Sequence, residues 1–396
     1  MSMNETDNTS LTDLEPWMIL EMIEWDNTKK LTSTIIYMAL LIIMGLVGNT
    51  VVLAVYTVRL RTGTTRIFIL ALAVVDVLNS IFGMSGEIID IVHSYTFFNN
   101  DMCKIIRFNN YITVFSSIYI LIGVSIDRYR KVCKPYSRQI TEKGAKLMVG
   151  GAIFAASVIT IPAIILNGIH EYEYIYNGQN ITVSECTFNN FYQDTWYPKV
   201  LVGAQFLIFV FSLCILITMY LMIGRKIFIH SRFSFKKLSA EKKKELVGEK
   251  KTEKSVSFGA VQVNKVSNIE VVDDSVVETS EVQSEGYSEA VPRYTARQSI
   301  QLNKRMKARK IKNRTTLMLV GITMVFIASC VPYLTISVMK RLDTNFVTSM
   351  SDTEYKIYNI FLRSYFFNSV ANPIVYSFCN ARFREEAKRV LVPCFR

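Results

Sequence analysis

Residues 103–129 read CKIIRFNNYITVFSSIYILIGVSIDRY, an apolar run that opens on Cys103 and closes on Asp127-Arg128-Tyr129. A helix from Cys103 to Arg128 extends about 38 Å at ~1.5 Å per residue. That slightly exceeds the ~30 Å hydrocarbon core of a bilayer. The run therefore reads as a helix crossing lipid with a guanidinium at its inner mouth. Arg128 beside Asp127 can be held by a local ion pair and released when neighbouring helices move. The plainer alternative is a positive anchor at the membrane face, and such a triplet also arises by chance.

Similar blocks lie on either side, roughly at 33–57, 67–92, 105–127, 145–167, 198–223, 315–339 and 356–379. The chain has 396 residues, half of them hydrophobic. The apolar runs do not alternate with polar residues, which argues against a strand barrel. The expectation is an all-α membrane protein, a seven-transmembrane-helix bundle followed by a short amphipathic helix. Its parts would be an extracellular tail over 1–32, spans one to five over 33–230, a disordered third cytoplasmic loop over 231–303, spans six and seven over 304–380, and the eighth helix and tail over 381–396.

The formal net charge is +12 and unevenly placed. Arg59, Arg61 and Arg66 follow the first block; Arg130, Lys131, Lys134, Arg138, Lys143 and Lys146 follow the third. Cationic loops stay in the cytosol, whereas the segment before the first block is acidic. The amino end is thus expected outside and the carboxyl end inside, in a multi-pass plasma-membrane protein. Every basic cluster flanks a membrane block, so anionic lipid and a cytosolic partner fit better than nucleic acid. No early apolar core suggests a cleaved signal peptide. Asn4, Asn8 and Asn180 are glycosylation sequons on the outer face; Asn313 also matches but falls inside. Cys103 and Cys186 both face the oxidising side and are expected to pair. Cys394, beyond an amphipathic stretch, is either a palmitoylation site or a plain thiol. Alternating runs around Asn177-Gly178 predict a hairpin before block five, whose tether would keep a wet entrance open for an extended ligand.

Asp76 sits about 15 Å deep. A charge there costs roughly 2.5–3.5 kcal/mol on insertion scales, so it needs partners. Asn49, Ser117, Asn368, Ser369 and Asn372 fall at comparable depths. This oxygen-rich set suits sodium, but the chemistry alone favours a hydrogen-bonded network with water or a proton on Asp76. Pro162, Pro332 and Pro373 each remove a helix hydrogen bond and favour kinks. His residues number three, and no metal or nucleophile constellation suggests an enzyme. An ion-coupled transporter would also use a buried Asp and broken helices, but internal repeats are not visible.

Together these residues resemble the rhodopsin-like (class A) G-protein-coupled receptors, over about 33–394 apart from the long inner loop. The resemblance rests on Gly48-Asn49, Leu72-Ala73 with Asp76, Cys103 with Cys186, Asp127-Arg128-Tyr129 with Pro135, Tyr220, Phe326 with Pro332-Tyr333, Asn368-Ser369, Asn372-Pro373 with Tyr376, and Phe383-Arg384. It implies that an outside ligand shifts a two-state bundle. Span six swings outward, Arg128 leaves its pair, and Tyr220 and Tyr376 brace the opened mouth for a heterotrimeric G protein. Arrestin and receptor kinases are further partners so implied, as is an allosteric sodium ion at Asp76, Ser117, Asn368 and Asn372, with no obligatory cofactor.

The chain also departs from the pattern. Cys330 replaces the aromatic residue before Pro332, leaving Phe326 and Tyr333 to carry the packing change. Ile153 and Phe154 stand where the family has a tryptophan, Ser212 near the block-five proline, and Phe97 and Phe98 near an outer-loop tryptophan. Phe366 occupies the position of the retinal-binding lysine and Asn110 that of the amine-binding aspartate. Glu87, Asp90, Glu171, Glu173 and Glu185 suggest an electronegative entrance that steers a basic or amidated neuropeptide; an internal Glu87–Arg363 ion pair competes with that reading. Asn110, Gln205, Tyr333 and Phe366 complete the candidate pocket. A small amine or lipid is the alternative ligand.

Overall fold

The computed structural model describes residues 15–60, 62–176, 178–253, 292–342 and 346–391; of 230–253, 292–315 and 341 only the backbone is described. Asn4, Asn8 and Cys394 lie outside the described residues, as does 254–291. Two units divide the chain. Met1–Gly224 with Asn313–Arg396 forms the bundle, and Arg225–Lys312 holds the end of one long helix and the start of the next.

Among the described residues, six helical stretches are long and apolar enough to cross a membrane: Thr32–Arg59, Thr64–Val92, Asn100–Cys133, Glu142–Leu166, Tyr197–Ile229 and Thr316–Lys340. The elements are α1 (Pro16–Lys30), α2 (Thr32–Ala54), α3 (Thr64–Leu78), α4 (Ser85–Val92), α5 (Asn100–Cys133), α6 (Glu142–Leu166), β1 (Asn167–Tyr176), β2 (Gln179–Phe188), α7 (Tyr197–Glu253), α8 (Pro292–Leu342), α9 (Asp352–Leu362), α10 (Phe367–Cys379) and α11 (Ala381–Leu391). The seventh span is present but interrupted: α9 ends at Leu362, a 3-10 turn covers Ser364–Phe366, and α10 follows with Pro373 inside it. The second span joins α3 to α4 through a π-turn, Asn79–Met84.

Three expected boundaries change. The amino-terminal segment is not all tail. Proline starts α1, and Ile19, Ile23 and Asn27 bury one face at helical spacing. The two isoleucines pack with Ile181 and Val183 of β2. Glu24 fixes that contact, accepting from the Ser94 and Tyr95 backbone N–H groups at 2.8 and 3.2 Å and from the Thr96 hydroxyl at 2.7 Å. Helix extends into the segment expected as a loop over 231–303, because α7 continues to Glu253 and α8 starts at Pro292. The hairpin is longer than the alternating runs, pairing Asn167 with Phe188 through to Tyr176 with Gln179. Gly178 supplies the turn with φ 87°, a backbone conformation that glycine takes without steric penalty.

Cys103 and Cys186 are disulfide-bonded, tying β2 to the outer end of α5. Asn180 is exposed on β2. In the core, a Cβ on Gly48 would lie 2.9 Å from Pro373, so the glycine is what lets the first span meet the kinked seventh. Phe383 at the start of α11 is buried and stacks on Tyr56, 5.9 Å between ring centres. That anchors the eighth helix by its apolar edge.

Candidate functional site

Polar groups gather at three depths. At the inner mouth, Arg128 donates to Asp127 Oδ2 from Nε at 3.1 Å and Nη2 at 2.6 Å, and from Nη2 to the Thr65 hydroxyl. Asp127 has further partners: the Thr64 hydroxyl at 2.8 Å and Lys131 Nζ at 2.9 Å. The guanidinium is thus closed on its own neighbour, and the carboxylate would stay paired without it. Close by in the bundle, Thr323 of α8 donates to the Tyr220 hydroxyl of α7 at 3.0 Å. Tyr376 is buried edge-on to Tyr56, and its hydroxyl has no hydrogen-bond partner among the described residues. Phe326 is buried and packs against Phe209.

In mid-membrane, Asn372 Nδ2 donates to Asp76 Oδ2 at 2.7 Å, while Asp76 Oδ1 has no hydrogen-bond partner among the described residues. Asn49 bridges to the Ser369 carbonyl at 2.8 Å. Ser117 and Asn368 are buried in α5 and α10. A fully buried carboxylate oxygen without a donor, in a set of hydroxyls and amides, fits a small hard cation.

At the outer end a cavity of about 400 Å³ is lined by three acids, Glu87, Asp90 and Glu185, three bases, Arg107, Lys340 and Arg363, and several tyrosines. Beneath it an apolar cavity of about 100 Å³ is lined by Phe115, Gln205, Phe209, Cys330 and Leu334. Asn110, Tyr111, Tyr333 and Tyr365 border both. The acids of the second span are not free. Arg107 reaches Glu87 at 3.1 Å, Asp90 at 3.0 Å and the Cys186 carbonyl at 2.6 Å. Arg363 Nε lies 3.1 Å from Glu87 Oε2, and Asn110 Nδ2 donates to Glu87 Oε1 at 2.8 Å. Within the expected electronegative entrance, Glu87 and Asp90 are matched by Arg107 and Arg363, as the competing ion-pair reading of Glu87 has it. On β2, burial pushes the Glu185 carboxyl up, with Lys340 and His170 acting against the rise. Burial also pushes the Tyr172 hydroxyl up to about 12.

Phe366 lies away from both cavities, fully buried among Met38, Leu41, Met84 and Val370. The 3-10 turn presents its neighbour Tyr365 to the chamber instead. Gln205 and Asn110 do line the cavities, and Gln205 Nε2 and Asn110 Oδ1 are buried without a hydrogen-bond partner among the described residues. Sequence reasoning missed Arg107. A base in the outer half of a membrane span carries the same demand for partners that drew attention to Asp76.

The description "7 transmembrane receptor (rhodopsin family)" matches residues 48–376. The neuropeptide S receptor of Rattus norvegicus is 28% identical over 219 residues, 54% of this chain and 56% of that protein. The RYamide receptor of Drosophila melanogaster is 34% identical over 130 residues, 32% of this chain and 28% of that protein. The cholecystokinin receptor type A of Homo sapiens is 26% identical over 360 residues, 88% and 78% respectively. The chain spans about half the length of the neuropeptide S receptors it matches.

Proposed function

Because the chain belongs to the rhodopsin family of seven-transmembrane receptors, we propose that it is a plasma-membrane receptor for an extracellular neuropeptide and activates heterotrimeric G proteins. The observation that carries the ligand class is the stacked pair of cavities. A wide, tyrosine-walled, charge-balanced chamber opens onto a narrow apolar one whose rim holds the unpartnered Gln205 and Asn110 amide atoms. A peptide end fits this shape, with one side chain in the apolar cavity and its terminal amide at those groups. Since three acids face three bases, net positive charge in the ligand is not demanded. An amidated, uncharged terminus next to an aromatic residue suits the tyrosine walls better than a polybasic one. The names of the relatives, peptide receptors including one for a peptide amide, support the same class.

Peptide binding would shift the bundle toward the form in which span six opens the inner mouth and Arg128 leaves Asp127. Sodium at Asp76, with Ser117, Asn368 and Asn372 around it, would stabilise the resting form. Arrestin and receptor kinases would act on the cytosolic face.

The test is nucleotide exchange on purified G proteins by the reconstituted chain against a library of amidated and free-acid neuropeptides. Stimulation by an amidated peptide, lost on replacing its amide with a free acid and weakened about tenfold by Gln205→Leu, is the expected result. Solute flux through the reconstituted chain without exchange by any peptide would overturn the reading.

A further inference from the structure

The π-turn of the second span carries a polar bridge to two other spans. A π-turn inside an α-helix often marks a functional site. Here it begins at Asn79, which is buried. Asn79 Nδ2 donates to Ser369 Oγ of α10 at 3.1 Å, and Asn79 Oδ1 accepts from the Thr113 hydroxyl of α5 at 3.1 Å. One amide thus joins three spans. The single proton of Thr113 has other acceptors along its own helix, the Asn109 carbonyl at 2.8 Å and the Asn110 carbonyl at 3.2 Å. It has two kinds of arrangement open to it, along α5 or across to Asn79.

Four residues further on, a Cβ at Gly83 would lie 2.7 Å from Asn110 Oδ1 and 2.9 Å from Asn109 Nδ2. Only glycine lets these two amide atoms, neither with a hydrogen-bond partner among the described residues, press onto the turn. Asn110 leads outward to Glu87 at 2.8 Å in the chamber. Ser369 leads inward, its carbonyl accepting from Asn49 at 2.8 Å, and three residues on Asn372 holds Asp76 at 2.7 Å.

We propose that Asn79 is a positioning residue that holds the resting bundle by tying α5 to α10 across the π-turn, so that altered pairing at Glu87 in the chamber is felt at the Asp76 layer. The bistable element is the Thr113 hydroxyl. When it turns back to its own helix the α5–α10 tie is cut. Interhelical hydrogen bonds in membranes each bias such an equilibrium by roughly threefold, so loss of the tie should raise the population of the open form by about that factor.

The inference rests on the receptor reading for its output but not for its geometry, and two readouts separate them. The full chain is placed in lipid nanodiscs. Ligand-free nucleotide exchange on a purified heterotrimeric G protein is one measure. The other needs no G protein: an environment-sensitive fluorophore on Leu317→Cys, an exposed position on the sixth span, with Cys133, Cys214, Cys379 and Cys394 replaced by serine. Thr113→Val is expected to raise basal exchange about threefold and Asn79→Leu, which also removes the bond to Ser369, by at least that factor, both shifting the fluorescence in the same direction, and the double variant to do no more than Asn79→Leu alone. A variant that merely folds poorly loses signal and does not gain it. Ser125→Ala, whose hydroxyl donates to the Ile122 carbonyl of its own helix, is expected to change neither measure. Unmoved fluorescence in both variants at normal folded yield, or fully additive effects in the double variant, overturns the inference. Fluorescence that moves while exchange does not supports the inference and removes the receptor reading instead.

Discussion

Two guanidinium–carboxylate systems stand at opposite ends of the bundle, and they are built differently. At the inner mouth Arg128 and Asp127 are sequence neighbours, and Asp127 keeps Thr64 and Lys131 when Arg128 is taken away. At the outer end Glu87 is held by Arg107, twenty residues on, and by Arg363 in the last span. Arg107 also binds Asp90 and the Cys186 carbonyl beside the disulfide. The first arrangement lets the arginine leave without stranding a buried charge, as a switch requires. The second ties four elements together, and no member can leave cheaply. One is suited to move and the other to hold the shape of the chamber.

The contrast is broken most sharply at Arg128. Arg128→Ala should abolish peptide-stimulated nucleotide exchange while leaving surface expression and peptide binding near normal, because Asp127 stays paired. Radioligand or fluorescent-peptide binding beside an exchange assay checks it. Loss of binding with surface protein intact would show that the inner pair also holds the chamber.

At the outer end the signs reverse. Glu87→Ala strands Arg363, whose remaining contacts are to Asn359. Breaking a buried ion pair from one side costs about 3–5 kcal/mol, so folded yield and thermal stability should fall, while the protein that survives keeps Arg128 and still couples, its basal exchange shifted as the altered Glu87 pairing reaches the Asp76 layer. Glu87→Ala with Arg363→Leu should recover part of the loss, since no charge is then left alone. A double variant no better than the single would mean that the pair does not carry the stability.

The middle layer falls between the two. Exchange of potassium for sodium at fixed ionic strength should raise the melting temperature of the chain, and Asp76→Asn should remove the rise. At tenfold over its dissociation constant, an ion confined to the resting form adds about 1.4 kcal/mol. A sodium effect that survives Asp76→Asn would assign the orphaned oxygen to the hydrogen-bonded network alone.

The inner system was legible in the sequence and the outer one only in part, for a physical reason. Asp127 and Arg128 are adjacent, so their pairing needs no tertiary information. Span number followed from apolar length. The Glu87–Arg363 pair could be entertained from depth, yet Arg107 could not be chosen as the second partner without knowing which face of α5 meets the second span. The amino-terminal helix was hidden because its buried stripe is only Ile19, Ile23 and Asn27, and its partner surface lies on a hairpin far along the chain. The side taken by Phe366 depends on a 3-10 turn that carries no sequence signal beyond Arg363-Ser364. The π-turn at Asn79 was likewise invisible, since it shifts helix phase without a proline.

The smallest effect belongs to the chamber's third acid, and it separates paired from unpaired carboxylates. Glu185 sits on β2, outside the spans, and burial raises its carboxyl above the ordinary value of 4.5, opposed by Lys340, His170 and Arg107. A carboxyl raised on folding binds a proton more tightly in the folded chain than in the unfolded one. Stability should therefore fall as pH rises from the ordinary value through the raised one, and stay at its lower level above that. Glu185→Gln should flatten this window and be slightly more stable than the parent at pH 7. Thermal melts from pH 4.5 to pH 7 in detergent would read the slope. A wild-type curve that rises over this interval, with the slope removed by Glu185→Gln, would mean that Glu185 is paired as tightly as Glu87, and the outer chamber would then hold all three of its acids in the same way.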